Sequence, residues 1–210
     1  MHIPDGFLSV PVWLSLDLAA IPSVGYFVRR TQRVFEDSRI PLLGVLGSFV
    51  FAAQMINFPV MAGTSGHLIG GALLAFTLGP SAATVVMTAI LCVQALVFQD
   101  GGILALGANV VNMAVVGVWV GYLPMKLLNG RGPRLRSLAA FLGGWLSLMA
   151  AALLAAVELS ISAMAPSGPL FVSMLGIHAV TGVAEGLITV VTLSAIKRLN
   201  SAYVLPREAA

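Results

Sequence analysis

IPLLGVLGSFVFAAQMINFPVMAGTSGHLIGGALLAFTLGPSAATVVMTAILCVQALVFQ, residues 40–99, holds no Asp, Glu, Lys or Arg. His67 and Cys92 are its only ionisable side chains. A helix needs about 20 apolar residues to cross a bilayer, so the stretch has room for two or three crossings. Breakers divide it. Asn57-Phe58-Pro59 and Gly63-Thr64-Ser65-Gly66 end one helix, and Gly79-Pro80 ends a shorter one. Working outward, the chain reads as seven helices, at 7–28, 41–58, 66–78, 80–98, 104–128, 137–164 and 169–197. The third is too short for an ordinary span, so it is expected to sink between its neighbours or to be entered by a partly unwound segment.

Composition agrees. Over 210 residues, 59% are hydrophobic and 9% charged, with a mean hydropathy of +0.99. A soluble domain carries about 25% charge, so a soluble enzyme or nucleic-acid binder is excluded, as is disorder. Barrel strands alternate apolar and polar residues over about 10 positions, and these uninterrupted runs do not. The expected class is all-α, a polytopic membrane protein. No linker separates two units, so residues 1–210 are read as a single transmembrane domain. The first helix lacks a preceding basic region and has too long an apolar core for a signal peptide, so it is read as a retained span.

The basic residues set an orientation. Arg29, Arg30, Arg33 and Arg39 follow the first helix, Lys126, Arg131, Arg134 and Arg136 the fifth, and Lys197, Arg198 and Arg207 the seventh. With seven crossings all 11 Lys and Arg fall on one side. The amino terminus is therefore expected outside and the carboxyl terminus in the cytoplasm, with the loops near 60–66, 99–103 and 165–168 on the outer face. The net charge of +3 sits in these short loops and forms no nucleic-acid surface.

That topology lets Met1-His2 meet His67. Met1-His2 is a chelator by covalent geometry: a free α-amine, the His2 amide nitrogen and its imidazole Nδ1 close fused five- and six-membered rings on one cation. Deprotonating the amide requires a metal such as Ni²⁺ or Cu²⁺, or low-spin Co²⁺. His67 is the candidate fourth nitrogen, and a planar nitrogen set suits Ni²⁺ and Cu²⁺. Pro4-Asp5-Gly6 supplies a turn to fold the terminus back, with Asp5 available to complement the cation's charge. The bland reading makes His2 a surface residue and His67 a cap on the third helix.

MHIPDGFLS at 1–9, GTSGHLIGGALLAFTLGP at 63–80 and QALVFQDGGILALGANVVNMA at 94–114 resemble the cobalt/nickel substrate-binding subunits of energy-coupling factor (ECF) transporters, the CbiM/NikM family. The resemblance implies a substrate-binding membrane subunit of an ATP-driven Co²⁺ or Ni²⁺ uptake transporter. It implies ligands at Met1, His2 and His67 and no cofactor. It also implies partners: a transmembrane coupling subunit, two cytoplasmic ATPases and often a small auxiliary membrane subunit. The place would be the plasma membrane of a bacterium or archaeon. The family usually reads Phe-Gly-Asp-Gly-Gly where this chain has Phe98-Gln99-Asp100-Gly101-Gly102, so no ligand role is carried over there.

Other polar residues punctuate the apolar runs. Asn57 and Gln94 are the candidates to orient the ligands from a second layer, while Gln54, Asn109 and Asn112 read more simply as interhelical hydrogen bonders. His178 and Glu185, seven apart, share a helix face. They form either a weak alternative metal site or a polar pair locking the last helix, with Glu158 as a further partner. Gly66/Gly70, Gly117/Gly121 and Gly182/Gly186 are ridges for close packing, within the chain or against a membrane partner. No phosphate loop is present, so ATP hydrolysis would belong to another chain. The alternative function is an ion-coupled secondary transporter of the same metals, with few titratable residues to serve it. No HExxH, Ser/Lys or paired-Asp intramembrane pattern supports an enzyme.

Overall fold

The computed structural model describes residues 1–128, 131–200 and 203–204. Arg207 lies outside them. Seven helices form among the described residues: α1 Val10–Val34, α2 Ile40–Gln54, α3 Gly71–Leu78, α4 Pro80–Phe98, α5 Leu106–Leu128, α6 Pro133–Ile161 and α7 Ser167–Leu199. Five of them, α1 and α4 to α7, are long and apolar enough to cross a membrane.

α2 and α3 are shorter than the charge-free stretch suggests. α2 stops at Gln54 rather than 58, because Phe58–Pro59 pairs antiparallel with Ser65–Gly66 in a two-residue ladder, β1 and β2. α3 starts at Gly71 rather than 66, after Gly70 turns into the left-handed region at φ 74°. A side chain there would meet Val50 as well as backbone strain. At about 1.5 Å per residue α3 is about 12 Å long. All eight of its residues are buried, so the helix both sinks between neighbours and is entered by an unwound segment. α1 starts three residues later than the reading placed it, at Val10 after the turn that docks the amino terminus, and runs on six residues past 28 to Val34.

The last turn of α4, Gln94–Phe98, and the middle of α5, Val110–Gly117, are wound as π-helix. Such segments widen a helix and commonly occur at functional positions. The glycine ridges pack within the chain: Gly121 lies against Ser147 and the Gly143 carbonyl, and Gly182 and Gly186 take Trp145 and Phe141 of α6. This close approach joins α5, α6 and α7 into the core.

The segments between helices gather at one end. Met1 bonds Ser65, His2 meets Asp100, Asp5 bonds Ile103 to Ala105, and the Ser9 amide donates to Ser162 Oγ. The amino terminus is thereby inserted as a plug, with Met1 1%, His2 3% and Ile3 0% exposed.

Candidate metal centre

The plug is held by atoms that are not candidate ligands. The Ile3 amide donates to Asn109 Oδ1 at 2.9 Å, and Asn109 Nδ2 donates to the Ile3 carbonyl at 3.1 Å. The Gly102 amide donates to the same carbonyl at 2.9 Å. Asp5 turns its carboxylate onto the amides of Ile103, Leu104 and Ala105 at 3.0, 2.8 and 3.3 Å. Those amides precede α5 and would otherwise lack acceptors. Asp5 is thus spent on a helix end rather than on the cation's charge. Gly6 at φ 85° completes the turn.

Held this way, Met1 and His2 reach the segment entering α3. The α-amine donates to Ser65 Oγ at 3.2 Å. The His2 and His67 rings stack, centroids 4.5 Å apart and planes 20° from parallel. His67 Nδ1 lies 2.8 Å from the Leu68 carbonyl. A carbonyl only accepts, so Nδ1 carries the proton and Nε2 presents a lone pair. That Nε2 is buried without a hydrogen-bond partner. His2 Nδ1 lies 3.1 Å from Asp100 Oδ1.

Burial sets the protonation of these groups. It pushes the α-amine down to about 4, against the pull of Asp100. It lowers His2 despite its contact with Asp100, and it holds His67 well below the ordinary imidazole range. Burial works to raise Asp100, but the His2 ring, the amine and Asn57 outweigh it and leave the carboxyl below its usual value. At neutral pH the pocket therefore offers uncharged nitrogen donors beside one carboxylate.

Asn57 Nδ2 donates to Asp100 Oδ2 at 3.0 Å, and Gln94 lies against His2 and donates to Gln54 Oε1 at 3.1 Å. Gln54 Nε2 in turn donates to the Ile69 carbonyl at 2.6 Å. The structure thus brings Met1, His2, His67, Asn57 and Gln94 together. Asn109, Gln54 and Asp100 join them; the first two had read as interhelical hydrogen bonders, and Asp100 carried no expectation.

His178 and Glu185 do not bond each other. His178 Nδ1 faces the Met174 carbonyl at 2.6 Å. The two Glu185 oxygens accept from the Ile69 and Gly70 amides at 2.6 and 2.8 Å, so Glu185, not His67, caps α3. Glu158 pairs with Asn112 Nδ2 at 2.8 Å rather than with either. Asp17, within α1, accepts from the Gly107 amide at 2.7 Å; an acid in an otherwise uncharged helical run was the sequence signal for it. No cluster of three His, Cys, Asp or Glu side chains suited to a metal occurs among the described residues. A cation here would need the backbone donors of Met1-His2.

Fold and site together define a class: a multi-pass helical membrane protein whose own amino terminus is buried beside two imidazoles. The profile of the CbiM family, described as the cobalt uptake substrate-specific transmembrane region, matches residues 2–203. The chain belongs to that family. It is 42% identical to a putative metal transport protein of Haloquadratum walsbyi, covering 90% of this chain and 86% of that one. It is 34% identical to the cobalt transport protein CbiM of Salmonella typhimurium, over 90% and 81%. A putative fused nickel transport protein of Archaeoglobus fulgidus is 40% identical over 93% of this chain, which spans 65% of that relative's length. A crystal structure of a truncated transition metal transporter superposes with a TM-score of 0.88 at 34% identity, covering 95% of this chain and 99% of that one. The protein is thus a CbiM-type membrane protein of cobalt or nickel transport.

Proposed function

We propose that this chain is the substrate-binding subunit of an ATP-driven ECF-type uptake transporter, and that it captures Co²⁺ or Ni²⁺ from outside with a planar nitrogen site. The ligands are the Met1 α-amine, the His2 amide nitrogen, His2 Nδ1 and His67 Nε2. The observation that carries this reading is the buried stack of His2 on His67 beside the inserted α-amine, with His67 Nε2 unpartnered. Uncharged donors suit a cation, which avoids the cost of burying like charges together. His2 Nδ1 faces Asp100, so closing the chelate requires the ring to turn and exchange the carboxylate for the cation. Asp100, held by Asn57, then remains nearby as a counter-charge, and Gln94 steadies the ring.

In this reading the chain crosses the membrane seven times, counting α2 and the sunken α3, with the amino-terminal site outside and the carboxyl terminus in the cytoplasm. Residues 1–28, 57–67 and 99–103, which form the plug and its surroundings, hold no Lys or Arg, which supports that orientation. Energy comes from partner chains, namely a transmembrane coupling subunit and two cytoplasmic ATPases, with a small auxiliary membrane subunit as a further partner. The test is metal uptake by cells carrying the transporter with its ATPases inactivated by substitution. Uptake should fall to background; uptake that continues would indicate an ion-coupled carrier.

A further inference from the structure

Far from the plug, a cavity of about 420 Å³ opens between the last turns of α5 and α7 and the first turns of α6. α6 carries Ser162 of the amino-terminal end just beyond its other terminus. Its 29 residues span about 43 Å at 1.5 Å per residue, so the two sites lie on opposite ends of the molecule. The inner wall is apolar, with Met125, Ala140 and Leu193 exposed by 1%, 3% and 6%. The rim carries Arg136, Lys197 and Arg198, and among the described residues no Asp or Glu lines it. Among the described residues no ion pair involves these three cations.

We propose that this cavity binds the headgroup of an anionic phospholipid. Three cations without an ion-pair partner among the described residues converge from two helices on one concavity, which is complementary to a phosphodiester. The guanidinium of Arg136 or Arg198 can take two phosphate oxygens at once. The apolar lining selects the source of the phosphate: a free inorganic anion would leave the exposed Pro133 and half-buried Val190 facing water, whereas a lipid's glycerol and first methylenes cover them. The protein lies among lipids, and basic pockets between helix ends on the cytoplasmic side recognise such headgroups. One phosphate bridging Arg136 to Lys197 and Arg198 would tie the start of α6 to the end of α7.

The test uses the full chain in detergent, titrated with phosphatidylglycerol, with phosphatidylcholine of the same acyl chains, and with inorganic phosphate, with bound lipid counted by native mass spectrometry. Phosphatidylglycerol should bind at least about fivefold more tightly than phosphatidylcholine, and equimolar inorganic phosphate should not displace it. The variant Arg136→Gln/Lys197→Gln/Arg198→Gln should lose that preference. Arg29→Gln/Arg30→Gln/Arg33→Gln removes the same charge elsewhere and should keep it. Equal loss in both variants would reduce the effect to diffuse surface charge and overturn the proposal. So would the absence of any preference, or displacement by inorganic phosphate. Retained Ni²⁺ binding in each variant checks the fold.

Discussion

Asn109 is the residue whose loss should most affect metal capture without removing a ligand. Its side chain makes both hydrogen bonds to the Ile3 peptide, at 2.9 and 3.1 Å, in a buried site. Asn109→Leu keeps the volume and removes both. Each is worth about 1 kcal/mol net, and the Ile3 amide left buried without an acceptor costs about 1 kcal/mol more. The Ile3 carbonyl keeps its bond from Gly102. Docking of the terminus is thus weakened by about 3 kcal/mol, with the Asp5 and Ser9 contacts intact. Affinity scales with the docked fraction, so Ni²⁺ binding measured by calorimetry should fall by up to about 140-fold, at about tenfold per 1.4 kcal/mol. Labelling with an amine-reactive reagent supplies a readout independent of metal. The α-amine, buried in the parent, should become reactive in the variant. A folded variant with unchanged affinity and a still-protected amine would refute the reasoning. Labelling that rises while affinity holds would leave the latch standing and remove the terminus from the ligand set.

Further outcomes follow from the same contacts. Burial holds the α-amine near 4 and lowers both imidazoles from their ordinary range, so at neutral pH and above none of them carries a proton to displace. The one proton released on chelation is then the His2 amide proton. The logarithm of affinity should rise by about one per pH unit between about pH 7 and 8, equal to about 1.4 kcal/mol each, and steepen at lower pH as the imidazoles and then the amine take up protons. An affinity flat over that range, read by competition with a chelator, would show that the amide keeps its proton. Glu185→Ala strips the cap from the Ile69 and Gly70 amides and should cost about 3 kcal/mol in thermal or denaturant unfolding, with Glu185→Gln about half as much, since one acceptor remains. An unchanged unfolding midpoint would show the cap to be idle. Gln99 stands at φ 56°, the left-handed conformation that costs a side-chain-bearing residue about 1 kcal/mol. Gln99→Gly should stabilise the fold by about that much, and a loss of stability would contradict the strain.

The parts of this molecule that sequence discloses are those with local causes. Uncharged runs and Gly-Pro breaks place the helices, and a terminal Met-His carries its chelating geometry in its own covalent bonds. What sequence conceals is set by partners far along the chain. α3 begins at Gly71 because Glu185, more than a hundred residues later, supplies its cap. Asn109 reads as one more interhelical amide, since nothing nearby announces that its partner is the Ile3 backbone. Asp5 reads as a counter-charge until the α5 amides are seen in front of it. The pattern Phe98-Gln99-Asp100 marked a departure from related chains. Only the backbone angle shows that glycine suits the position for its conformation and that Asp100 meets His2.

The amino-terminal chelate is tested most directly by metal binding to the purified protein with its native terminus, beside a variant carrying one extra Gly before Met1. The insertion keeps every side chain and moves the α-amine out of the five-membered ring. Stoichiometric binding of Ni²⁺ or Co²⁺ by the native chain, abolished by the insertion, is the predicted result. Equal binding by both would contradict it and place the cation away from Met1.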